Sequence, residues 1–185
     1  DDVRRLDESG IRSLDLNGVL TYHLSGVLRR YANEFLSLQE TRLLLDHMEK
    51  EAPELVREVQ RVLPIQKITD VLQRLVQEGI CIRDLKRITQ TLIEWGQKEK
   101  DTVLLVEYVR SALSRYISYK FSGGQNIIAA YLLDPALEER IRKSVRQTSS
   151  GSYLAMDPQS VRAILAAVRK TIGDIRKIQH KPVII

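Results

Sequence analysis

The residue types that most often do chemistry are sparse here. The three histidines, His23, His47 and His180, are scattered, and none stands at ligand spacing from another His or from Cys81. Asp46 and His47 are neighbours, so on a helix they project ~100° apart and do not chelate one ion readily. Acid–base catalysis by that pair needs both side chains in one cleft, and their placement is the test of an enzyme reading. Cys81 lies between Ile80 and Ile82; a lone thiol with apolar neighbours reads as a small buried hydrophobe rather than a nucleophile. No G-x-S-x-G elbow and no phosphate-binding glycine loop occurs, and "SGGQN" at 122–126 reads as a turn. These readings predict no enzymatic activity, no metal and no cofactor.

One charged pair stands out, Arg83-Asp84 within "EGICIRDLKRI" at 78–88. Asp84 suits the N-cap of a helix over 85–97, its carboxylate accepting from free backbone N–H groups and complementing the helix dipole. Position 87 is Arg rather than Glu or Gln, so no capping box completes it. The cap does not account for Arg83, which is either a solvated cation or a group reaching a carboxylate on a neighbouring helix or subunit.

The elements that position these residues follow from period. Leu20, Leu24, Val27, Tyr31, Phe35 and Leu38 form one helical stripe, with Asp15 and Asn17 ahead of it as caps. "QETRLLLDHMEKEA" is stopped by Pro53, which opens a short helix over 53–62. Pro64 repeats the device, and Gly79 ends the stripe of Ile65, Ile68, Leu72, Leu75 and Val76. Leu85, Ile88, Leu92 and Trp95 make the next stripe, and Asp101 opens a long, central helix carrying Val106, Val109, Leu113 and Ile117.

Beyond Ser122-Gly123-Gly124 the rhythm changes. "NIIAAYLLDP" and "SYLAMDP" are short apolar runs, each ending in the Asp-Pro pair that starts helices, and "HKPVII" reads as a third strand. The helix after the first run carries Leu137, Ile141 and Val145. The expected fold is mainly α, a helical bundle followed by a small α+β subdomain of order β-α-β-α-β. "IRSLDL" near the start reads as a short edge strand whose partners lie upstream. The chain stops inside an apolar strand, which reads as a fragment of something longer.

Charge divides the chain at the same place. Residues 134–185 hold ten Lys and Arg against five Asp and Glu, whereas residues 1–133 are balanced at nineteen of each. No apolar run approaches the ~20 residues that span a bilayer. The opening "DDVRRLDESG" has no signal-peptide core, and the single Cys81 suits a reducing compartment. The helices over 64–78 and 84–97 around Gly79 have the spacing of a helix-turn-helix, so a nucleic-acid-binding regulator is the alternative. The second helix dilutes Lys86, Arg87 and Lys98 with Asp84, Glu94 and Glu99, whereas a phosphate-binding helix is normally less compensated.

Taken together, "QETRLLLDHMEKEAPELVREV", "LPIQKITDVLQRLVQEGICIRDLKRI" and "KDTVLLVEYVRSALSRYI" resemble the cytoplasmic domain of the type III secretion export-gate family, that of FlhA, InvA and MxiA. The wording of "WGQKEKD" and "VEYVRSALSRYI" is closer to the injectisome branch than to the flagellar one. The resemblance implies the end of an upstream subdomain over about 1–20, a helical subdomain over about 21–120 and an incomplete α/β subdomain over about 121–185. It implies a virulence-associated protein-transport role: a nonameric homo-oligomeric ring at the cytoplasmic face of the bacterial inner membrane. That ring receives chaperones and substrates beside the ATPase complex. The membrane region would lie in an N-terminal part outside this chain. Carried over by motif, chaperone or substrate docking falls on Leu45, Asp46, Glu49, Gly79 and Ile80, and subunit contact on Arg83, Asp84 and Arg110.

Overall fold

The computed structural model describes residues 14–128, 130–148, 151–173 and 183–184. It starts with helix α1, Leu16–Arg30, capped by Asp15, whose Oδ1 accepts from the Gly18 N–H at 2.7 Å. The stripe expected to run on to Leu38 does not stay on one helix. The backbone turns at Tyr31, makes a short 3₁₀ segment Ala32–Phe35, and restarts as α2, Leu38–Glu49. The cause is a capping box at Ser37: the Gln39 N–H donates to Ser37 Oγ, and Glu40 accepts from the Ser37 N–H at 2.9 Å. The Ser37 hydroxyl also donates to Glu40, chiefly holding that carboxyl below the usual glutamate range.

Helix α3, Pro53–Val62, has its proline at the first turn, where no N–H is missed. Helix α4, Ile65–Gln77, uses Pro64 as the cap itself, one position earlier than the Pro53 device. Its end is a Schellman motif: with Gly79 at φ 72°, the Ile80 N–H reaches Leu75 O at 2.8 Å and the Gly79 N–H reaches Val76 O at 2.9 Å. Helix α5, Leu85–Gly96, follows, then α6, Thr102–Ala112, capped by Asp101. The single long helix expected from Asp101 through Ile117 is broken at Leu113, which leaves helical geometry at φ −92°, ψ 9°; α7, Ser114–Ser122, continues in a new direction.

One core serves α2 to α6. Among the described residues, every fully enclosed apolar side chain lies between Leu36 and Leu113, such as Leu45, Val59, Leu72, Leu75, Ile88, Leu105 and Val109. Helix α6 packs on both α4 and α5, which accounts for its apolar arc. Helix α5 approaches α3 closely at Gly96, where a Cβ would stand 2.8 Å from Leu63 Cγ. The buried hydroxyls are answered: Thr69 Oγ1 lies 2.9 Å from both Thr41 Oγ1 and Ile65 O. Trp95 of α5 and Tyr108 of α6 stack at 3.8 Å with their planes 5° apart, and Lys98 Nζ sits 5.0 Å over the Trp95 ring. By contrast α1 buries no residue, and its stripe of Leu20, Leu24 and Val27 lies open.

Past the Gly123-Gly124 turn, the Asp-Pro signals hold: Asp134 caps α8, Pro135–Ser144, and Asp157 caps α9, Pro158–Ile172. The strands differ from the expected β-α-β-α-β unit. Strand β1, Ala130–Tyr131, pairs in parallel with β4, Val183–Ile184. Strands β2, Val145–Thr148, and β3, Gly151–Leu154, form a separate antiparallel pair with Val145 opposite Leu154. Among the described residues the order is therefore β-α-β-β-α-β in two small sheets. Helix α8 stops at Ser144, so Val145 belongs to a strand and not to the helical stripe. Of the expected "IRSLDL" strand, residues 11–13 lie outside the described residues, Leu14 and Asp15 are irregular, and Leu16 opens α1 instead of continuing a strand.

Candidate functional site

The corner between α4 and α5 gathers most of the predicted charged positions. Gly79 reverses the chain, and Ile80, 5% exposed, plugs the core beneath it. Cys81 is half-buried and Ile82 packs on the core, so the thiol belongs to the connection. Asp84 is the α5 cap, accepting from the Arg87 N–H at 3.1 Å. Its carboxylate is thus turned to its own helix.

Arg110 does not hang free. Its guanidinium donates to Glu78 at 2.7 Å and lies 3.8 Å from Glu107, so α6 is tied to the end of α4. Lys120 of α7 donates to the Gly79 carbonyl. Two cations from later helices therefore brace the turn, and neither was assigned that task by local pattern, because the partners are 32 and 41 residues away. Arg83 sits exposed on the outside of this corner and makes no ion pair among the described residues.

On α2 the predicted docking residues divide. Leu45 is fully enclosed in the core, so its side chain is a packing element and offers nothing to a partner. Asp46, His47 and Glu49 all face solvent. No group of three or more His, Cys, Asp or Glu able to hold a metal occurs among the described residues. The open position of Asp46 and His47 supplies no enclosed cleft for acid–base work.

A polar cleft of about 690 Å3 lies elsewhere, between α4, the start of α6 and the β2–β3 hairpin. Asp70, Gln73, Arg74, Thr148 and Tyr153 line it. Part of its polar wall is structural: Gln66 donates to Asp70 at 2.9 Å, and Gln73 donates to Leu36 O at 2.7 Å. As for the helix-turn-helix alternative, α5 is wedged between α3 and α6 and keeps Lys86, Arg87, Gln90 and Glu94 outside. No helix is long and apolar enough to cross a membrane, among the described residues.

This geometry contains a braced corner and exposed charged edges, with no enclosed reactive group among the described residues. Comparison with known proteins gives the family. The FHIPEP family model matches residues 1–185. Low calcium response locus protein D of Yersinia pestis is 55% identical over 157 residues, covering 85% of this chain and 22% of that protein. The structure of the Chlamydia pneumoniae CdsV protein superposes with a TM-score of 0.91 at 48% identity, covering 100% of this chain and 53% of that one. The nonameric EPEC SctV-C, solved by cryo-electron microscopy, matches with a TM-score of 0.80 at 44% identity, over 91% of this chain and 50% of that one. This chain thus spans about half the length of the solved relatives and much less of the curated one. The chain belongs to the FHIPEP family, the export-gate proteins of type III secretion.

Proposed function

We propose that this chain is a ring-forming and docking module of a type III secretion export gate and performs no chemistry of its own. The observation that supports this most is its likeness, over nine-tenths of its length, to a relative solved as a nonamer. In this reading, copies assemble at the cytoplasmic face of the bacterial inner membrane, held there by a region outside this chain. The ring receives secretion chaperones with their substrates, works beside the ATPase complex and helps order export.

The corner residues take distinct parts. Arg83 is the cation left to meet a neighbouring subunit, while Asp84 and Arg110 hold the corner that presents it. Asp46 and Glu49 on α2 are the exposed carboxylates offered to a docking protein, with Leu45 and Ile80 giving the surface its shape from beneath and Gly79 open at the turn. Co-sedimentation of a purified chaperone–substrate complex with the cytoplasmic region tests the docking half. Asp46→Lys with Glu49→Lys should abolish capture while the thermal unfolding curve stays in place. Equal capture by that variant would remove α2 from the docking surface.

A further inference from the structure

Helix α7 carries an interaction surface that the corner and the α2 edge do not explain. It packs principally on α6 and contributes no buried residue. Of the ten aromatic residues in the protein, three, Tyr116, Tyr119 and Phe121, fall within this one short helix. Tyr119 is 70% exposed and Tyr116 39%. Three aromatics grouped on one exposed helix are denser than a scattered surface supplies, and Tyr with Arg is the composition of binding hot spots. The Tyr119 ring lies beside Gly124, where a Cβ would stand 3.4 Å from Cε2, so the turn closes one side of it and the rest is open.

The charge of this surface has one sign. From Tyr108 to Leu133 the sequence holds Arg110, Arg115 and Lys120 and no Asp or Glu. Glu78 and Glu107 are both turned to Arg110, and no carboxylate pairs with Arg115 or Lys120 among the described residues. Arg115 makes no ion pair among the described residues and lies one turn before Tyr119, so cation and ring share a stripe.

We infer that the Arg115–Tyr116–Tyr119 face of α7 is a docking surface for an acidic, amphipathic segment of a partner protein, apolar side chains on the tyrosines and carboxylates on Arg115. A helix whose apolar residues recur every third or fourth position matches the two-turn stripe. The inference extends the docking half of the proposed function to a second face and does not depend on ring formation.

The test uses the full chain and a fluorescein-labelled peptide of about 20 residues, Glu-rich with Leu and Phe at helical spacing. Fluorescence anisotropy should show micromolar-range binding that weakens as salt rises from about 50 to about 300 mM. Arg115→Glu should weaken it about tenfold or more, and Tyr119→Ser likewise. Arg169→Glu, a charge reversal on α9, should leave it unchanged, as should the unfolding curve of Arg115→Glu. The inference is overturned if a composition-matched scrambled peptide binds equally, or if Arg169→Glu weakens binding as much as Arg115→Glu. Absence of peptide binding, with self-association of the chain that Arg115→Glu removes, would give the face to a second copy and overturn it too. Failure here with intact Asp46- and Glu49-dependent chaperone capture would leave the proposed function standing.

Discussion

Arg110 donates to Glu78 across 2.7 Å, fastening the middle helix of the bundle to the last turn before the Gly79 reversal. Both side chains are about 40% exposed, so solvent screens the pair and its net contribution is small, ~0.2–1 kcal/mol. Its consequence is positional: the corner that presents Arg83 is held from behind. A double-mutant cycle with Glu78→Gln and Arg110→Ala should return a coupling in that range that shrinks as salt is raised. A coupling of several kcal/mol would show that the corner is far better shielded than its exposure indicates.

Leu45 and Asp46 are sequence neighbours with opposite fates. Leu45→Ala removes a fully enclosed side chain and should destabilise the chain by ~2–5 kcal/mol in urea unfolding. Asp46→Ala changes a solvated surface position and should stay within about 0.5 kcal/mol. Equal effects would contradict the division of α2 into a core face and a partner face.

Gly96 shows why a helix propensity rule fails in a tight contact. Alanine is the better helix former by ~1 kcal/mol. Here its Cβ would meet Leu63 Cγ at 2.8 Å and Val62 Cγ1 at 2.9 Å, both beside the core. Gly96→Ala should therefore cost stability, ~1–3 kcal/mol by overpacking, measured by the shift in urea midpoint. A stabilised variant would mean α3 can move aside freely.

The Ser37–Glu40 box sets the start of α2 and gives it a pH dependence. Glu40 is held below the ordinary glutamate range first by the Ser37 hydroxyl, then by backbone N–H donors including that of Ser37. A depressed folded pKa means the stabilisation is present above the unfolded value and is lost as pH falls through the folded one. Carboxyl-detected NMR should place the Glu40 midpoint below ordinary glutamates, and Ser37→Ala should move it up. An unmoved midpoint in Ser37→Ala would assign the shift to something other than the box.

The corner was legible because each of its signals is local: a proline before α4, a glycine after it, an aspartate before α5. Ser37-x-x-Glu40 was equally local, but the continuous apolar stripe across it concealed the break. The bend at Leu113 has no proline or glycine to announce it, since either helix fits the pattern. Strands of two to four residues carry too little alternation to announce themselves, and β2 begins at the Val145 that fits the helical stripe of Leu137 and Ile141. The ties of Arg110 and Lys120 span 32 and 41 residues and are set only by packing. Those ties are what separates Arg110 from Arg83 as a contact residue.

In the proposed function Arg83 stands at a seam between subunits while the fold beneath it is self-sufficient. Mass photometry of the complete cytoplasmic region, beside thermal unfolding of the same samples, tests both parts. The wild-type protein should form closed oligomers, and Arg83→Glu should shift it toward monomers with its unfolding temperature unchanged. Oligomers that persist in Arg83→Glu, or oligomer loss that only tracks a lowered unfolding temperature, would contradict the account.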